Sequence, residues 1–194
     1  MADIYKFKVK LIKLEDVIWR DIEITSVSNV AKLGYSIMVA FECDGSHLFS
    51  IRHNGKLYEI LYDNYLVMEP TFDPIKTKLS SLKMAIGDVL TMKYDYGAGW
   101  TFSLELIEIF KMEPNTGYYY PHVADGRGRG IMENTSPAEL LEAVDYTDKT
   151  GEVPTAVDLF SGKEKEWDYR QFIVEFCNGR MYGGIMRLRN SYER

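Results

Sequence analysis

The stretch "MKYDYGAGWTFSLELIEIF", residues 92–110, constrains the fold more than any other part of the chain. Leu90, Met92, Tyr94 and Tyr96 share one parity, while Thr91, Lys93 and Asp95 take the other. Alternation with period two belongs to a strand with one face buried and one face wet. After Gly97-Ala98-Gly99 the pattern resumes with Phe102, Leu104 and Leu106, and then Ile107 and Ile109 fall on the opposite parity. The segment therefore reads as two antiparallel strands joined by a short loop whose glycines supply positive φ. The parity switch predicts a bulge near Leu106-Ile107, or burial on both faces there. No helix starts after the glycines, so the loop lacks the helix N-terminus that a phosphate cradle uses. Asp95 and Trp100, at its two ends, are the residues that could line a groove beside it.

Other segments fit the same frame. "IYKFKVKL" (residues 4–11) sets Tyr5, Phe7, Val9 and Leu11 against Lys6, Lys8 and Lys10, a half-buried strand whose lysines suit a sheet edge. "VIWRDIEI" (17–24) follows after a gap suited to a hairpin. Ser26 is the expected N-cap of a helix carrying Val30, Leu33, Ile37 and Phe41 at helical spacing, with Gly45 as its terminator. Asn54-Gly55 marks a second hairpin. Residues 62–85 hold two prolines in an aperiodic run and read as a loop crossing the sheet. The expected fold class is α+β: a mostly antiparallel sheet packed on one main helix, in the order β-β-α-β-β-β-β, with a C-terminal helical segment. We expect one domain over 1–194, with the sheet-plus-helix core in 1–112 and the remainder packed on it.

Past Met112 the character changes. About 25 residues, "EPNTGYYYPHVADGRGRGIMENTSP", read as loop, long enough to suggest function. Ser136, Pro137 and Glu139 then form a capping-box helix start. A last helix is expected from about Asp168, with Tyr169, Phe172, Ile173 and Phe176 as its buried stripe and Asn178-Gly179 as its end. Residues 180–194 have no decided assignment.

Charge and cysteine content narrow the setting. Cys43 and Cys177 are too few for a disulfide framework and read as reduced thiols, as in a cytoplasmic protein. Lysines interrupt the apolar N-terminus, so neither a signal peptide nor a membrane span is expected. A net charge of −6 opposes broad capture of nucleic acid. Residues 113–179 are acidic and residues 180–194 carry four arginines against one glutamate. Those two regions could pair within one chain or between two, which makes a homo-oligomer one expected arrangement.

Chemistry is sparse. His47 and His53 would lie about 20 Å apart on an extended segment, no metal-ligand spacing occurs, and neither a metal nor a cofactor is expected. Ser46-His47 are adjacent, an awkward geometry for a nucleophile and its base, and no Gly-x-Ser-x-Gly elbow exists. The most suggestive segment is "DGRGRGI" (125–131), where Arg127 and Arg129 sit among glycines. They could contact phosphate, with Tyr118–Tyr120 stacking bases as in single-strand platforms, or pair with acids such as Asp125 or Glu133. The candidate ligand or anion-binding residues are therefore His47, Asp95, Trp100, Tyr120, His122, Arg127, Arg129 and Glu133.

Several blocks, taken in order, resemble one family. "IYKFKVKL", "IWRDIEI", "DGSHLFSI", "GDVLTMKYDYGAGWTFSLELIEI", "YPHVADGRGRGIMEN" and "SPAELLEAV" are similar to the pRiA plasmid ORF-three-like family, over about residues 4–144. Its motifs map onto Trp19-Arg20, Ser46-His47-Leu48, Tyr94 to Trp100, and Tyr120 to Gly126. Cys43 stands where many members have tryptophan, and Glu133-Asn134-Thr135 stands where many carry cysteines. The resemblance implies an α+β fold and a link to mobile elements, with no established activity. Members often carry a resolvase label, but the arginine-clustered nucleophilic serine of a serine recombinase is not visible here. The expectation is a non-enzymatic interaction or accessory module whose partner is a protein or weakly bound nucleic acid. The alternative is an enzyme or ligand-binding protein with a groove around His47, Asp95, Trp100 and the Tyr-Pro-His loop.

Overall fold

The computed structural model describes residues 2–62, 69–112, 119–157 and 162–194. The chain runs β1 (Asp3–Leu11), β2 (Trp19–Thr25), α1 (Val30–Ala40), β3 (Phe49–His53), β4 (Lys56–Glu59), β5 (Thr71–Phe72), β6 (Val89–Tyr94), β7 (Trp100–Lys111) and β8 (His122–Arg127). It continues through α2 (Pro137–Thr150), β9 (Thr155–Val157), β10 (Glu164–Glu166) and α3 (Val174–Tyr192). Eight strands form one sheet in the order β5-β4-β3-β6-β7-β1-β2-β8, antiparallel except for β4 with β5. β9 and β10 pair separately. The α+β class and the antiparallel sheet are as the sequence indicated.

Alternation built the centre of the sheet. Phe7, Val9 and Leu11 of β1 and Phe102, Leu104 and Leu106 of β7 are fully buried. The register between these strands slips where Lys6 faces Glu108 and Phe7 faces Leu106, leaving Ile107 as the extra residue. That is the bulge the parity switch required. The expectation that β1 lies at an edge was wrong: it sits between β7 and β2. Its lysines face acids on both neighbours, Lys8 with Asp21 at 2.7 Å and Lys6 with Glu23 at 3.4 Å and Glu108 at 3.9 Å. Cross-strand charge pairing, rather than edge protection, explains them.

Helix α1 is buried over nearly its whole length, because the sheet covers one side and α3 the other. Asn29 caps it, not Ser26, with its side chain accepting from Lys32 N at 2.8 Å. The remaining N-terminal donors find carbonyls in the segment after β5, Val30 N at Thr77 and Ala31 N at Pro74. That segment therefore seals a helix end. At the other end Glu42 adopts φ +59, and Cys43 N bonds Met38 O while Glu42 N bonds Val39 O, so the terminator is Glu42 rather than Gly45.

The C-terminal third departs most from expectation. The long loop is interrupted by β8, which pairs with β2 and extends the sheet. Part of the loop, 113–118 and with it Tyr118, lies outside the described residues. The capping box on α2 forms, with Ser136 Oγ accepting from Glu139 N and Glu139 accepting from Ser136 N. The final helix, however, is Val174–Tyr192: it runs through Asn178-Gly179 and includes the stretch 180–192 that had no assignment. Its buried positions are Cys177, Met181, Ile185, Leu188 and Tyr192, while Ile173 and Phe176 are exposed. Gly184 lets α3 approach α1, since a Cβ there would lie 2.7 Å from Val39.

Candidate functional site

Two places gather the candidate side chains, four strand spacings apart across the sheet. The first is the junction after β6. His47 Nε2 lies 3.5 Å from Asp95 Oδ2, and the His47 ring meets the edge of Tyr94 with centroids 5.9 Å apart. Tyr94 Oη accepts from Gly45 N at 3.1 Å and contacts Asp44 Oδ1 at 2.9 Å and Glu133 Oε1 at 3.1 Å. Glu133 Oε1 also accepts from Asp44 N at 2.6 Å. Burial, then the charge of Asp44, raises the Glu133 pKa against the opposing bonds from Asp44 N and Tyr94. Burial pushes Asp44 upward too, but donation from Ser46 and Tyr94 outweighs it and leaves that carboxyl below its ordinary value.

This junction is occupied with holding the chain together. Asp44 Oδ1 accepts from the N–H and hydroxyl of Ser46, both at 2.7 Å. Arg187 donates to the Asp44 carbonyl at 2.6 Å, and the Tyr192 hydroxyl donates to the His47 carbonyl. The α1–β3 loop, β6, the segment around Glu133 and the end of α3 thus meet on one set of polar groups. Asp95 adopts φ +50 and its carboxylate accepts from Gly97 N and Ala98 N, while Gly99 takes φ +81. The Gly-Ala-Gly loop is a turn, with Asp95 rather than Gly97 in the left-handed region. Trp100 does not line a groove: it is wholly buried across from Tyr94 in the β6–β7 ladder.

The arginine segment is held as well. Arg127 ends β8, where its guanidinium reaches the Asp16 carbonyl at 3.3 Å. Arg129 pairs with Glu42 at 3.2 Å, shared with Arg180 at 3.3 Å, and its backbone N bonds Tyr169 O. Pairing of arginine with acid was expected, but the acid is Glu42 instead of Asp125 or Glu133. Arg127 is held at the end of β8, and Arg129 lies just beyond that strand. Beneath them Arg20 is buried, donating to the carbonyls of Ala40, Trp19 and Arg127 and stacking 3.7 Å from the Phe172 ring centroid.

The second place is a groove of about 1200 Å³ between α3, the start of α1 and the outer strands β2 and β8. Tyr120 and His122 line it, four strand spacings from Asp95 at β6, or roughly 19 Å. The sequence therefore grouped residues that the fold separates. Burial, opposed by Glu23 and aided by Lys6, lowers the His122 pKa. Asn178 of α3 joins groove to sheet, its amide bonding both Val123 N and Val123 O at 2.8 Å in place of a further strand. Beyond it the wall is Met181, Tyr182, Ile185 and Met186, with Tyr35 and Pro121 facing. Tyr182 is 80% exposed and Tyr119 is 91% exposed, which leaves large rings at the mouth. Lys32 and Arg189 line the end where α1 begins. The sequence reading missed this wall because it ended the helix at Gly179; the recurrence of Cys177, Met181, Ile185, Leu188 and Tyr192 was the available signal.

Among the described residues no group of three or more His, Cys, Asp or Glu side chains could hold a metal ion, and no helix is long and apolar enough to cross a membrane. A family model for plasmid pRiA4b ORF-3-like proteins matches residues 3–175. No curated protein matches the chain. The fold is similar to the crystal structure of a protein of unknown function, MM3350, from Methanosarcina mazei Go1. That similarity has a TM-score of 0.72 at 19% sequence identity and covers 90% of this chain and 96% of that one.

Proposed function

This chain belongs to the plasmid pRiA4b ORF-3-like family, and we propose that it acts as a non-enzymatic binding module whose site is the groove beside α3. One observation carries the reading: a continuous groove of about 1200 Å³ is walled by methionine, isoleucine and tyrosine, with rings at its mouth that no core packing uses. Binding sites are concave, mostly apolar and fixed by a few polar groups, and this groove has that composition. From Asn178 to Arg189 it follows eleven residues of helix, roughly 16 Å, which suits an elongated ligand. Methionine walls also adapt to varied shapes.

The alternative, chemistry at His47 and Asp95, has less support, since Asp44, Glu133 and Tyr94 there hold backbone groups. Nucleic acid has less support also, because Arg129 and Arg180 are engaged by Glu42 and Arg127 by the Asp16 carbonyl. The test uses N-phenylnaphthylamine, an uncharged ring compound that fluoresces on leaving water. Titration of the full chain is expected to show one saturable site, abolished by Met186→Glu, a change on the groove wall outside the core. No saturable signal, or one indifferent to Met186→Glu in a folded variant, would overturn the proposal.

A further inference from the structure

We infer that the groove selects amphiphilic anions, with the anionic group seated between Lys32 and Arg189 and the apolar body lying along α3. The inference rests on the groove being the binding site and adds the chemical class of its ligand. Lys32 is the third residue of α1, half-buried, and it lines the groove wall with no ion-pair partner among the described residues. The partly buried lysines Lys6 and Lys8 of the sheet are each matched to acids, so a lysine withdrawn from water without one stands out. Arg189 lies close by, fourteen residues along α3 from Glu175. Its Nε is engaged by Glu193 at 3.1 Å, and Glu193 Oε1 also accepts from Tyr35 at 3.3 Å. The two cations and one carboxylate leave this end with a net charge of +1.

The other charges facing the groove lie at its far end. Glu23 is opposite His122 in the β2–β8 ladder and pairs with Lys6, and Glu175 opens α3 beside Val174. The groove is thus positive where α1 begins and negative where α3 begins. An anion at the first end meets Lys32 and the remaining fork of Arg189, and both contacts are charge-assisted. Burial, with Arg189 adding to it, lowers the Lys32 pKa. A carboxylate, sulfonate or phosphate would remove that penalty. The backbone N–H groups of the first turn take no part, since Asn29, Pro74 and Thr77 already satisfy them. A neutral ligand gains only the apolar wall.

The experiment compares two probes of similar ring size on the full chain: anilinonaphthalene sulfonate, which is anionic, and N-phenylnaphthylamine, which is not. Each is titrated against the native protein, Lys32→Gln, Arg189→Gln, the blocking variant Met186→Glu and the distant control Lys149→Gln, with circular dichroism confirming the fold. The native protein is expected to bind the sulfonate about tenfold more tightly than the neutral probe, a difference of about 1.4 kcal/mol. Lys32→Gln should erase most of that preference without changing affinity for the neutral probe, and Lys149→Gln should change neither. Rising salt should weaken only the sulfonate. Equal binding of both probes, or a preference that survives both Lys32→Gln and Arg189→Gln, would overturn the anion assignment while leaving the groove intact. Failure of both probes to bind in a manner sensitive to Met186→Glu would overturn the groove, and this inference with it.

Discussion

Arg20→Met should be among the most destabilising single changes in the protein, and its cost can be worked from the structure. The Arg20 guanidinium is 1% exposed and donates to three carbonyls, Arg127 at 2.7 Å, Trp19 at 2.8 Å and Ala40 at 3.1 Å. It lies between the rings of Phe172 and Phe41, at 3.7 and 4.9 Å. Burial lowers its pKa to about 10, and holding the charge there costs about 3 kcal/mol. Against that stand three charge-assisted bonds at about 2 kcal/mol each and stacking of about 1 kcal/mol. Methionine fills a similar volume but leaves the carbonyls unpaired, so the net loss is about 4 kcal/mol. Arg20→Lys keeps the charge but not the fork, and should lose about 2 kcal/mol. Urea denaturation monitored by circular dichroism measures both, with an unchanged slope expected because the unfolded surface is the same. Hydrogen exchange should show the weakening first in β8 and around Phe172. A loss below about 1 kcal/mol for Arg20→Met would refute the view that this side chain ties α1, β8 and Phe172 together.

Glu133→Gln tests the polar junction by pH. Its folded pKa is raised above the ordinary 4.5, so its contribution is fully present below that value and is lost as pH rises through the folded pKa. The variant should therefore gain in melting temperature relative to the native protein between pH 4.5 and 7, and a relative fall over that interval would contradict the assignment. Asp44 has the opposite sign: its pKa is lowered, so its stabilisation is present above the ordinary 3.8 and fades as pH falls. In the β6–β7 turn, Gly99→Ala places a side chain at φ +81 and should cost about 1 kcal/mol. Gly97→Ala carries no such φ penalty, and equal destabilisation of the two in chemical denaturation would show that the turn is misassigned.

The legible parts of the fold were those governed by a local period. Alternation placed β1, β2, β6 and β7, and even the bulge at Ile107 was visible as a parity switch. Asn54-Gly55 and the capping box at Ser136 declared themselves because a fixed backbone geometry demands those residues. What was hidden depended on partners far along the chain. β8 contains Gly126 and Asp125 and has no strand-like composition; it is a strand because β2 offers an edge and Asn178 closes the other side. Asn178-Gly179 looked like a helix end, yet α3 runs through it and closes on Val39 at Gly184. The site suffered most. His47 with Asp95 could be suspected from adjacent motifs, whereas Lys32 lies on α1, far along the chain from Met186 and Arg189 on α3, and only packing brings them to one groove.

The most direct test of the central claim is a map of where the anionic probe binds. Backbone amide shifts of the isotope-labelled full chain should be followed as anilinonaphthalene sulfonate is added to saturation. The expected perturbations fall on Lys32 and Tyr35 of α1, on His122 of β8, and along α3 from Asn178 to Arg189, with Asp44, His47 and Asp95 unmoved. Saturable perturbation confined to the His47–Asp95 junction or to Arg127 and Arg129, with α3 silent, would contradict the assignment of the groove as the binding site.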